Sequence, residues 1–386
     1  MSFDLSEDQR AFQRIAKDFS IKELAPNAGE WDAKGEFPVE TIKKAGDLGF
    51  CSLYVSEEDG GMGLGRLDSS IIIEQLSAGC TSTTAFITIH NMALWMVSKF
   101  GSIELKEKWC PALCSGQKLA SYCLTEPGSG SDAASLKTTA VKKGDNYVLN
   151  GSKSFISGAG ETDCLVLMAR TGKEGPGGIS CFLLPADLKG IEYGKKEKKM
   201  GWRNQPTRVI SLSDVEIPAS CLIGEEGQGF MIAMQGLDGG RINIATCSIG
   251  TAQAALEAAQ KYMNEREQFG KKLSDFQALQ FKLADMTTEL VAARHFVRLA
   301  ASKIDSEHSE ATVYSAMAKR FATDVGFNVC NEALQIFGGY GYLQEFPLER
   351  YVRDVRVHQI LEGTNEIMRM IIGRRMLMEG ATEIIQ

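Results

Sequence analysis

The stretch Gln117–Asp132, QKLASYCLTEPGSGSD, is where the pattern of the chain changes from helical to extended. Before it, roughly the first 118 residues carry apolar side chains at helical spacing. After it, short β-rich runs and turn residues replace the long helical periods. From Phe230 the helical spacing returns and persists over long segments. Helices, then strands, then helices predict an α+β multi-domain architecture.

The 386 residues favour two or three structural units. We predict an N-terminal all-helical domain at 1–118, a central β domain at 119–229 and a C-terminal four-helix bundle at 230–386. A capping-box pattern at Ser6 and Gln9 predicts the start of the first helix. The helices expected after it are Pro38–Gly49, Leu67–Gly79, Thr83–Phe100 and Glu104–Cys114.

The β domain is expected to be antiparallel, and the bundle to run up and down. The Asn150-Gly151 pair predicts a two-residue turn between strands at Asn146–Leu149 and Ser152–Ile156. Further strands are predicted at Cys164–Ala169, Ile179–Leu184 and Thr207–Leu212, and Lys195–Lys199 is expected to be a solvated loop. The four long C-terminal helices are predicted at Ile232–Glu265, Phe276–Ile304, Ala311–Phe337 and Asn365–Met378.

Composition excludes several classes of protein. A formal net charge of −7 argues against nucleic acid as the main partner. Ten cysteines without a framework favour a reducing compartment, and four histidines form no ligand motif, which disfavours a metal enzyme. The run Gln75–Ser98 has no charged residue, but its Ser, Thr, His90 and Asn91 favour a buried helix over a membrane span.

Glu362 is the candidate for proton chemistry. It lies between Ile360-Leu361 and Gly363 in an uncharged run, so we expect its carboxylate to be partly desolvated and its pKa raised. A carboxylate tuned toward neutral pH suits general-base catalysis at a carbon acid. The alternative is a helix N-terminus that Thr364 caps, with Glu362 as a solvated loop acid, and the local residues alone favour that alternative.

Other segments could hold a ligand. No Rossmann or P-loop pattern is present, so a dinucleotide would have to bind in another way. The loop Tyr122–Asp132 offers N–H groups and hydroxyls to a flat ring or to phosphates, or is an ordinary turn. Arg266–Gly270 pairs a guanidinium suited to pyrophosphate with an aromatic ring, or is a helix end. Gln335–Gly341 is a helix end or an open backbone surface, and Asp238 with Arg241 is a salt bridge or a site for an acyl-pantetheine.

Six of these motifs together resemble the acyl-CoA dehydrogenase family in order and spacing, over essentially the whole chain. They are Tyr122–Asp132, Phe155–Ser157, Asp238–Arg241, Arg266–Gly270, Gln335–Gly339 and Leu361–Glu366. The stretches Ala78–Ile87, Ser129–Leu136 and Gly194–Lys199 look most like the branch of that family that oxidises isobutyryl-CoA in valine breakdown.

The resemblance implies an FAD enzyme in which Glu362 removes the α-proton of an acyl thioester while the β-hydride passes to flavin N5. It also implies a homotetramer, a dimer of dimers with FAD shared across a dimer interface, and electron transfer flavoprotein as electron acceptor. The backbone N–H of Glu362 and a ribityl hydroxyl would stabilise the thioester oxygen. Compartments would be the mitochondrial matrix in a eukaryote, after removal of a leader that the N-terminus here does not show, or the bacterial cytoplasm.

Site residues follow from the same resemblance. The cofactor-binding residues would be Tyr122, Leu124, Thr125, Ser131, Phe155, Ile156, Ser157, Arg266, Phe269, Phe276, Gln277, Gln335, Phe337, Gly338, Gly339, Thr364, Asn365 and Glu366. The substrate-binding residues would be Ser131, Asp238, Gly239, Gly240, Arg241 and Arg374, with Ile87 and Thr88 lining the acyl pocket. Phe155 stands where several relatives have tryptophan. The alternatives are another short-chain or branched-chain acyl-CoA dehydrogenase, an acyl-CoA oxidase, or a flavin-binding assembly factor with vestigial catalysis.

Overall fold

The computed structural model describes residues 4–385, and its first part is helical. The helices are α1 (Glu7–Phe19), α2 (Ala28–Lys34), α3 (Val39–Asp47), α4 (Arg66–Gly79), α5 (Thr81–Phe100) and α6 (Ile103–Cys114). The predicted capping box is confirmed: Ser6 Oγ accepts from the Gln9 N–H at 3.1 Å, and Gln9 Oε1 accepts from the Ser6 N–H at 3.0 Å. The short helix α2 was not predicted. A π-helical turn at Ser20–Leu24 follows α1.

The charge-free run forms the end of α4 and most of α5, and it is buried as expected. Its polar residues are used inside the protein. Asn91 Nδ2 donates to Phe50 O at 2.8 Å, while its Oδ1 accepts from the Leu53 N–H at 2.7 Å. His90 bridges Leu113 O and the Ala120 N–H, both at 3.0 Å. Within residues 4–385, none of the helices combines the length and the apolar character that crossing a membrane requires.

The central part is one eight-stranded sheet. Its strands are β1 (Ala120–Cys123), β2 (Thr139–Lys143), β3 (Asn146–Ser157), β4 (Cys164–Arg170), β5 (Ile179–Pro185), β6 (Ile191–Tyr193), β7 (Thr207–Pro218) and β8 (Leu222–Ile223). The order is β6-β7-β3-β2-β4-β5-β8, with β1 beside β4. Most neighbours are antiparallel, as predicted. The β1–β4 pair and a single pair of residues between β2 and β4 are parallel.

The predicted hairpin at Asn150-Gly151 is wrong, because β3 runs straight through it. The pairing of β3 with β7 shifts register between Leu149 and Gly151, which is a β-bulge. Gly151 has φ +151°, and a Cβ there would meet Thr138 Oγ1 at 2.5 Å. The turn lies earlier, between β2 and β3 at Gly144 (φ +61°). The glycine therefore marks a bulge with close backbone packing.

The C-terminal part is a helical bundle built on one long helix. Its elements are α7 (Gly229–Glu265), the two-residue strands β9 (Glu267–Gln268) and β10 (Lys271–Lys272), α8 (Gln277–Asp305), α9 (Ala311–Phe337), α10 (Leu348–Arg356), α11 (Asn365–Met376) and α12 (Ala381–Ile384). Helix α10 was not predicted. The domain limits at 1–118, 119–229 and 230–386 stay predictions, and residues 1–3 and 386 fall outside the described part.

Small residues let α7 pack closely against its neighbours. Its buried face is rich in Gly, Ala, Ser and Thr, and it contacts α4, α5, α8 and α9. Gly250 lies where α7 meets α4, and a Cβ at this position would overlap Glu74 O and Ser77 Oγ. Only glycine allows this approach, which fixes the N-terminal helices on the bundle.

We expect Gly250→Ala to lower the free energy of unfolding by about 2 kcal/mol, because α7 and α4 must move apart. Gly373→Ala on α11 is the matched control, since a Cβ there meets nothing within 4 Å. The control should gain about 0.5–1 kcal/mol from the smaller entropy of the unfolded chain. Urea denaturation followed by circular dichroism measures both, and equal effects of the two substitutions would contradict the packing argument.

Candidate active site

Glu362 lies in a tight turn between the one-turn helix Val357–Gln359 and α11. Its φ is +56° and that of Gly363 is +90°, so two consecutive residues are left-handed. Leu361 anchors the turn by packing against the cluster of Ala85, Trp202 and Ile244. The backbone N–H of Glu362 takes no part in any hydrogen bond within residues 4–385. This turn leaves both the carboxylate and the N–H available to a ligand.

Glu362 is partly buried, and one oxygen of its carboxylate is removed from water. Its Oε2 is buried and has no hydrogen-bond partner within the described chain. It lies against the backbone of α7, where a Cβ on Gly240 would come within 2.5 Å of Oε2. Burial raises the pKa of Glu362 to about 7, although the nearby charges of Arg241 and Lys319 oppose that rise. The buried Oε2 disfavours the alternative of a solvated acid, while Thr364 does cap α11 by accepting from the Ile367 N–H at 3.2 Å.

Arg241 connects α7 to this turn. Its guanidinium is buried, donates from Nε to Glu362 O at 3.4 Å and pairs with Asp238 at 2.6 Å. Thr312 on α9 donates to the second oxygen of Asp238 at 2.6 Å. Burial is the main cause that raises the pKa of Asp238, and Arg241 opposes it. The predicted salt bridge between Asp238 and Arg241 is present and lies beside Glu362. A role of this pair in holding an acyl-pantetheine stays a prediction.

Sequence reasoning missed Lys319, a lysine on α9 with no exposed surface. Its Nζ donates to Gly363 O at 2.7 Å and to Asn365 Oδ1 at 2.9 Å. Burial lowers the pKa of Lys319 to about 7, although the charge of Glu362 opposes this. A single lysine among Ser315, Ala316, Ala318 and Ala322, on the apolar face of a helix, was the available signal.

Polar groups without partners face the same region. Tyr122 on β1 has a buried hydroxyl with no partner among residues 4–385, and burial, then the charge of Glu362, raises its pKa. Arg66 lies over the Tyr54 ring at 3.4 Å, and its buried Nη1 also has no partner there. A Cβ on Gly239 would come within 2.5 Å of this guanidinium. Ile87 and Thr88 are buried nearby, and Tyr54 Oη donates to Thr88 O at 3.4 Å.

The loop Tyr122–Asp132 is held by a buried ion pair that was also missed. Lys153 Nζ donates to Glu126 Oε1 at 2.7 Å and to Leu124 O at 3.1 Å. Glu126 also accepts the backbone N–H groups of Lys137 and Thr138. Beyond it, Gly128 and Gly130 have nothing within 4 Å of a Cβ position, and Ser131 is exposed. The ion pair fixes the start of this loop, and the open glycines beyond it allow the backbone to approach a ligand closely.

Phe155 is placed beside this loop by a second bulge in β3. The register with β7 shifts between Lys153 and Ile156, and Phe155 has φ +58° with its side chain 71% exposed. The Ser154 N–H donates to Thr125 O at 2.8 Å, which joins the two segments. Ser157 is half-buried, whereas Ile156 and Leu124 are buried and can offer a ligand only their backbone. An exposed ring beside open glycines suits a flat ligand.

A second region lies at the other end of the bundle. A groove of about 380 Å³ is lined by Tyr262, Arg266, Gln268, Leu273, Ile336, Phe337, Gly338, Gly339, Tyr340 and Leu343. The predicted residues Arg266, Phe337, Gly338 and Gly339 therefore lie together. Phe269 is 94% exposed with φ +55°, and its ring is 6.3 Å from that of Phe276. Gln335 and Gln277 do not line the groove.

The two regions are far apart in one chain. Arg266 follows Arg241 by 25 residues along the continuous helix α7. At 1.5 Å per residue this is about 38 Å. One protomer therefore does not bring the Arg266 groove to Glu362.

Three more of the predicted residues lie on α11. Asn365 is buried, and its side chain bonds to Lys319, Thr323 and Asp324, so this side chain is already engaged within the protein and its role toward a cofactor stays a prediction. These hydrogen bonds of the Asn365 side chain link α11 to α9. Arg374 is exposed on α11, and Glu366 is exposed in its first turn. Within residues 4–385 there is no group of His, Cys, Asp and Glu placed to hold a metal ion.

Three family models match the chain in succession. They are the N-terminal domain of acyl-CoA dehydrogenase at residues 6–117, the middle domain at 121–215 and the C-terminal domain at 227–377. These matches follow the helical, β and helical parts of the fold in order.

Individual relatives are similar over nearly the whole chain. Bovine mitochondrial isobutyryl-CoA dehydrogenase is 55% identical over 98% of this chain and 91% of its own length. Rat mitochondrial short-chain specific acyl-CoA dehydrogenase is 42% identical over 97% of this chain and 92% of its own length. The structure of butyryl-CoA dehydrogenase from Megasphaera elsdenii superposes with a TM-score of 0.95 at 41% identity, covering 98% of this chain and 100% of that one.

The raised pKa of Glu362 has a consequence for stability. The folded state holds this proton up to about pH 7, whereas the unfolded chain releases it near pH 4.5. The folded state therefore binds more protons in this window, and stability falls as pH rises from about 4.5 to 7. We expect Glu362→Gln to unfold with a higher free energy than the wild type at pH 8, by up to about 3 kcal/mol.

Urea denaturation at a series of pH values measures this difference, which should shrink toward pH 4.5. The exposed Glu379 provides the control, since Glu379→Gln should show no such trend. A Glu362→Gln difference that is constant across the pH range would show that the carboxylate is not desolvated.

Proposed function

The chain belongs to the acyl-CoA dehydrogenase family of flavoprotein oxidoreductases, and from this premise we propose that it dehydrogenates a short α-branched acyl-CoA, namely isobutyryl-CoA, to the α,β-unsaturated thioester. Support for the substrate comes from identity, which is 55% to bovine isobutyryl-CoA dehydrogenase against 42% to the rat short-chain enzyme. Methacrylyl-CoA would be the product. The reaction would belong to valine breakdown, in the mitochondrial matrix of a eukaryote or the cytoplasm of a bacterium.

The observation that carries the proposal is the unpartnered Oε2 of Glu362, on a carboxyl group whose pKa is near 7. The α-proton of a thioester is weakly acidic, so the base must be ionised at neutral pH and yet gain by taking the proton. An ordinary solvated glutamate is too weak a base for this purpose. Burial against α7 supplies the shift, and the charges of Arg241 and Lys319 keep an ionised fraction. A vestigial assembly factor would have no need of this arrangement.

Negative charge must also be stabilised on the thioester oxygen as the proton leaves. The free backbone N–H of Glu362 is a donor beside the base, fixed by the left-handed turn. One preorganised donor of this kind lowers the activation free energy by about 3 kcal/mol. Arg241 and Asp238, with Ser131 at the rim, would hold the CoA part, and Gly239 and Gly240 leave room beside α7.

The described residues fit a flavin dinucleotide. Tyr122–Thr125 and Phe155–Ser157 would contact the ring, because the exposed Phe155 lies beside the open loop. Arg266, Phe269, Gly338 and Gly339 would hold the phosphates and adenine. When bound, FAD would accept the β-hydride and later pass electrons to an electron transfer flavoprotein. Thr364 and Glu366 would contact the same cofactor as Glu362.

The length of α7 supports a cofactor that is shared between subunits. The groove at Arg266 lies about 38 Å along the helix from Arg241, so it would serve the cofactor of a neighbouring subunit. Gly338 and Gly339 have nothing within 4 Å of their Cβ positions, so their backbone is open to an incoming molecule. We therefore propose a dimer that exchanges these grooves, assembled in pairs as a homotetramer.

A panel of acyl-CoA thioesters tests the substrate. Under anaerobic conditions, isobutyryl-CoA should bleach the flavin with a higher second-order rate than its straight-chain isomer butyryl-CoA. It should also exceed isovaleryl- and 2-methylbutyryl-CoA, which are one carbon larger, by on the order of tenfold. Glu362→Gln should stay yellow and bind isobutyryl-CoA without bleaching. Faster bleaching by butyryl-CoA would favour the short-chain alternative, and normal bleaching of Glu362→Gln would remove Glu362 as the base.

Retention of flavin tests the groove. Arg266→Ala should weaken FAD binding by about 2 kcal/mol, or roughly thirtyfold, since a charge-assisted contact to phosphate is lost. The ratio of flavin absorbance to protein after gel filtration measures it. Arg14→Ala, at an exposed arginine of α1, is the control. Unchanged flavin content of Arg266→Ala would contradict the assignment of this groove.

A further inference from the structure

Lys319 is a buried amine placed directly behind the turn that presents Glu362. Its side chain has no exposed surface, and α9 directs it at the segment Gly363–Asn365. Its two hydrogen-bond acceptors, Gly363 O and Asn365 Oδ1, are uncharged. Burying a charged amine without a carboxylate to accept its hydrogen bonds is unfavourable. Lys319 is such an amine, and it lies against the turn that presents Glu362.

The turn needs an external support because its backbone is unusual. Glu362 at φ +56° is a residue type that seldom adopts this conformation, and Gly363 at +90° follows it. The Gly363 carbonyl accepts from Lys319 at 2.7 Å. Asn365 makes the second link to α9, because its side chain donates to Asp324 at 2.8 Å and to Thr323 at 3.0 Å. Helix α9 thus holds the turn at two points.

We propose that Lys319 is a positioning residue, which holds the Glu362–Gly363 turn in its left-handed conformation and keeps a positive charge behind the Glu362 carboxylate. The inference rests on the proposed function, in which Glu362 is the base. Lys319 acts through its charge as well as through its hydrogen bonds, because Lys319 and Glu362 influence each other's ionisation.

The charges around this pair come from several elements. Arg241 and Asp238 on α7 face Glu362 as an ion pair, and Tyr122 on β1 faces it with an uncharged hydroxyl. Asp324 on α9 and Glu366 on α11 act on Lys319. Arg241 and Lys319 both oppose the rise in the pKa of Glu362, and Arg241 has the larger effect although it is paired with Asp238. Because Lys319 also opposes that rise, removing Lys319 should raise the pKa of Glu362 further.

Two substitutions separate the positioning from the charge. Lys319→Met removes both the hydrogen bonds and the charge, whereas Lys319→Gln keeps a donor for the Gly363 carbonyl and removes only the charge. We expect both to move the midpoint of the pH profile of anaerobic flavin bleaching upward. The plateau rate at high pH should fall by on the order of tenfold or more in Lys319→Met and recover in part in Lys319→Gln.

The control is a second, partly buried lysine outside the site. Lys199 Nζ donates to Gln205 O and Thr207 Oγ1, both at 2.7 Å, and burial lowers its pKa to about 8. Lys199→Met should lower the temperature of unfolding while leaving the midpoint and the plateau of the profile unchanged. A merely structural role for Lys319 predicts the same pattern for Lys319→Met.

An infrared titration of the Glu362 carboxyl band, with Glu362→Gln as the blank, gives the midpoint without relying on turnover. An upward shift in either Lys319 variant supports the inference, and Lys319→Gln supplies this measurement if Lys319→Met does not fold. Wild-type midpoints in both readouts overturn it. The proposed function fails separately, because that failure requires normal bleaching by Glu362→Gln.

Discussion

The structure depends on burying one oxygen of the Glu362 carboxylate, which has no hydrogen-bond partner among residues 4–385. Glu362 Oε2 lies against the glycine face of α7, and only the absence of a side chain at Gly240 makes room for it. A carboxylate with a salt-bridge partner would have a low pKa and would be a poor base. The charges that act on Glu362 belong instead to Arg241, which is paired with Asp238, and to Lys319. Their charges moderate the effect of burial without cancelling it.

The same helix α7 determines how the rest of the site is distributed. One end carries Asp238 to Arg241 beside Glu362, and the other carries Arg266 at the groove of Phe337 to Gly339. Close packing of Gly250 on α4 keeps this helix fixed relative to the N-terminal helices. A helix of this length separates the turn of Glu362 from the groove at Arg266, so one chain does not bring the two regions together.

Local sequence pattern predicted the long elements well and the irregular ones poorly. The periodicity of Ala311–Phe337 gave that helix its observed limits, because tertiary packing and local propensity agree there. At Asn150-Gly151 the same reasoning predicted a hairpin, since a bulge and a turn use the same residue types, and only the partner strand β7 distinguishes them. Helix α10 was missed because it is short and highly charged. The burial of Glu362 followed from its neighbours, but Lys319 could be placed only once α9 lay against a turn 44 residues later.

Burial raises the pKa of Glu362 and lowers that of Lys319, and the charge of each group opposes the shift of the other. A charged Lys319 therefore favours the ionised form of Glu362, and an ionised Glu362 favours the ammonium form of Lys319. The ionised form of Glu362 is the one able to accept a proton from a carbon acid. When Glu362 becomes protonated, the ammonium loses the charge that stabilises it, and its own proton is held less tightly. In the proposed reaction, the lysine behind Glu362 would therefore respond to each proton that the carboxylate takes up.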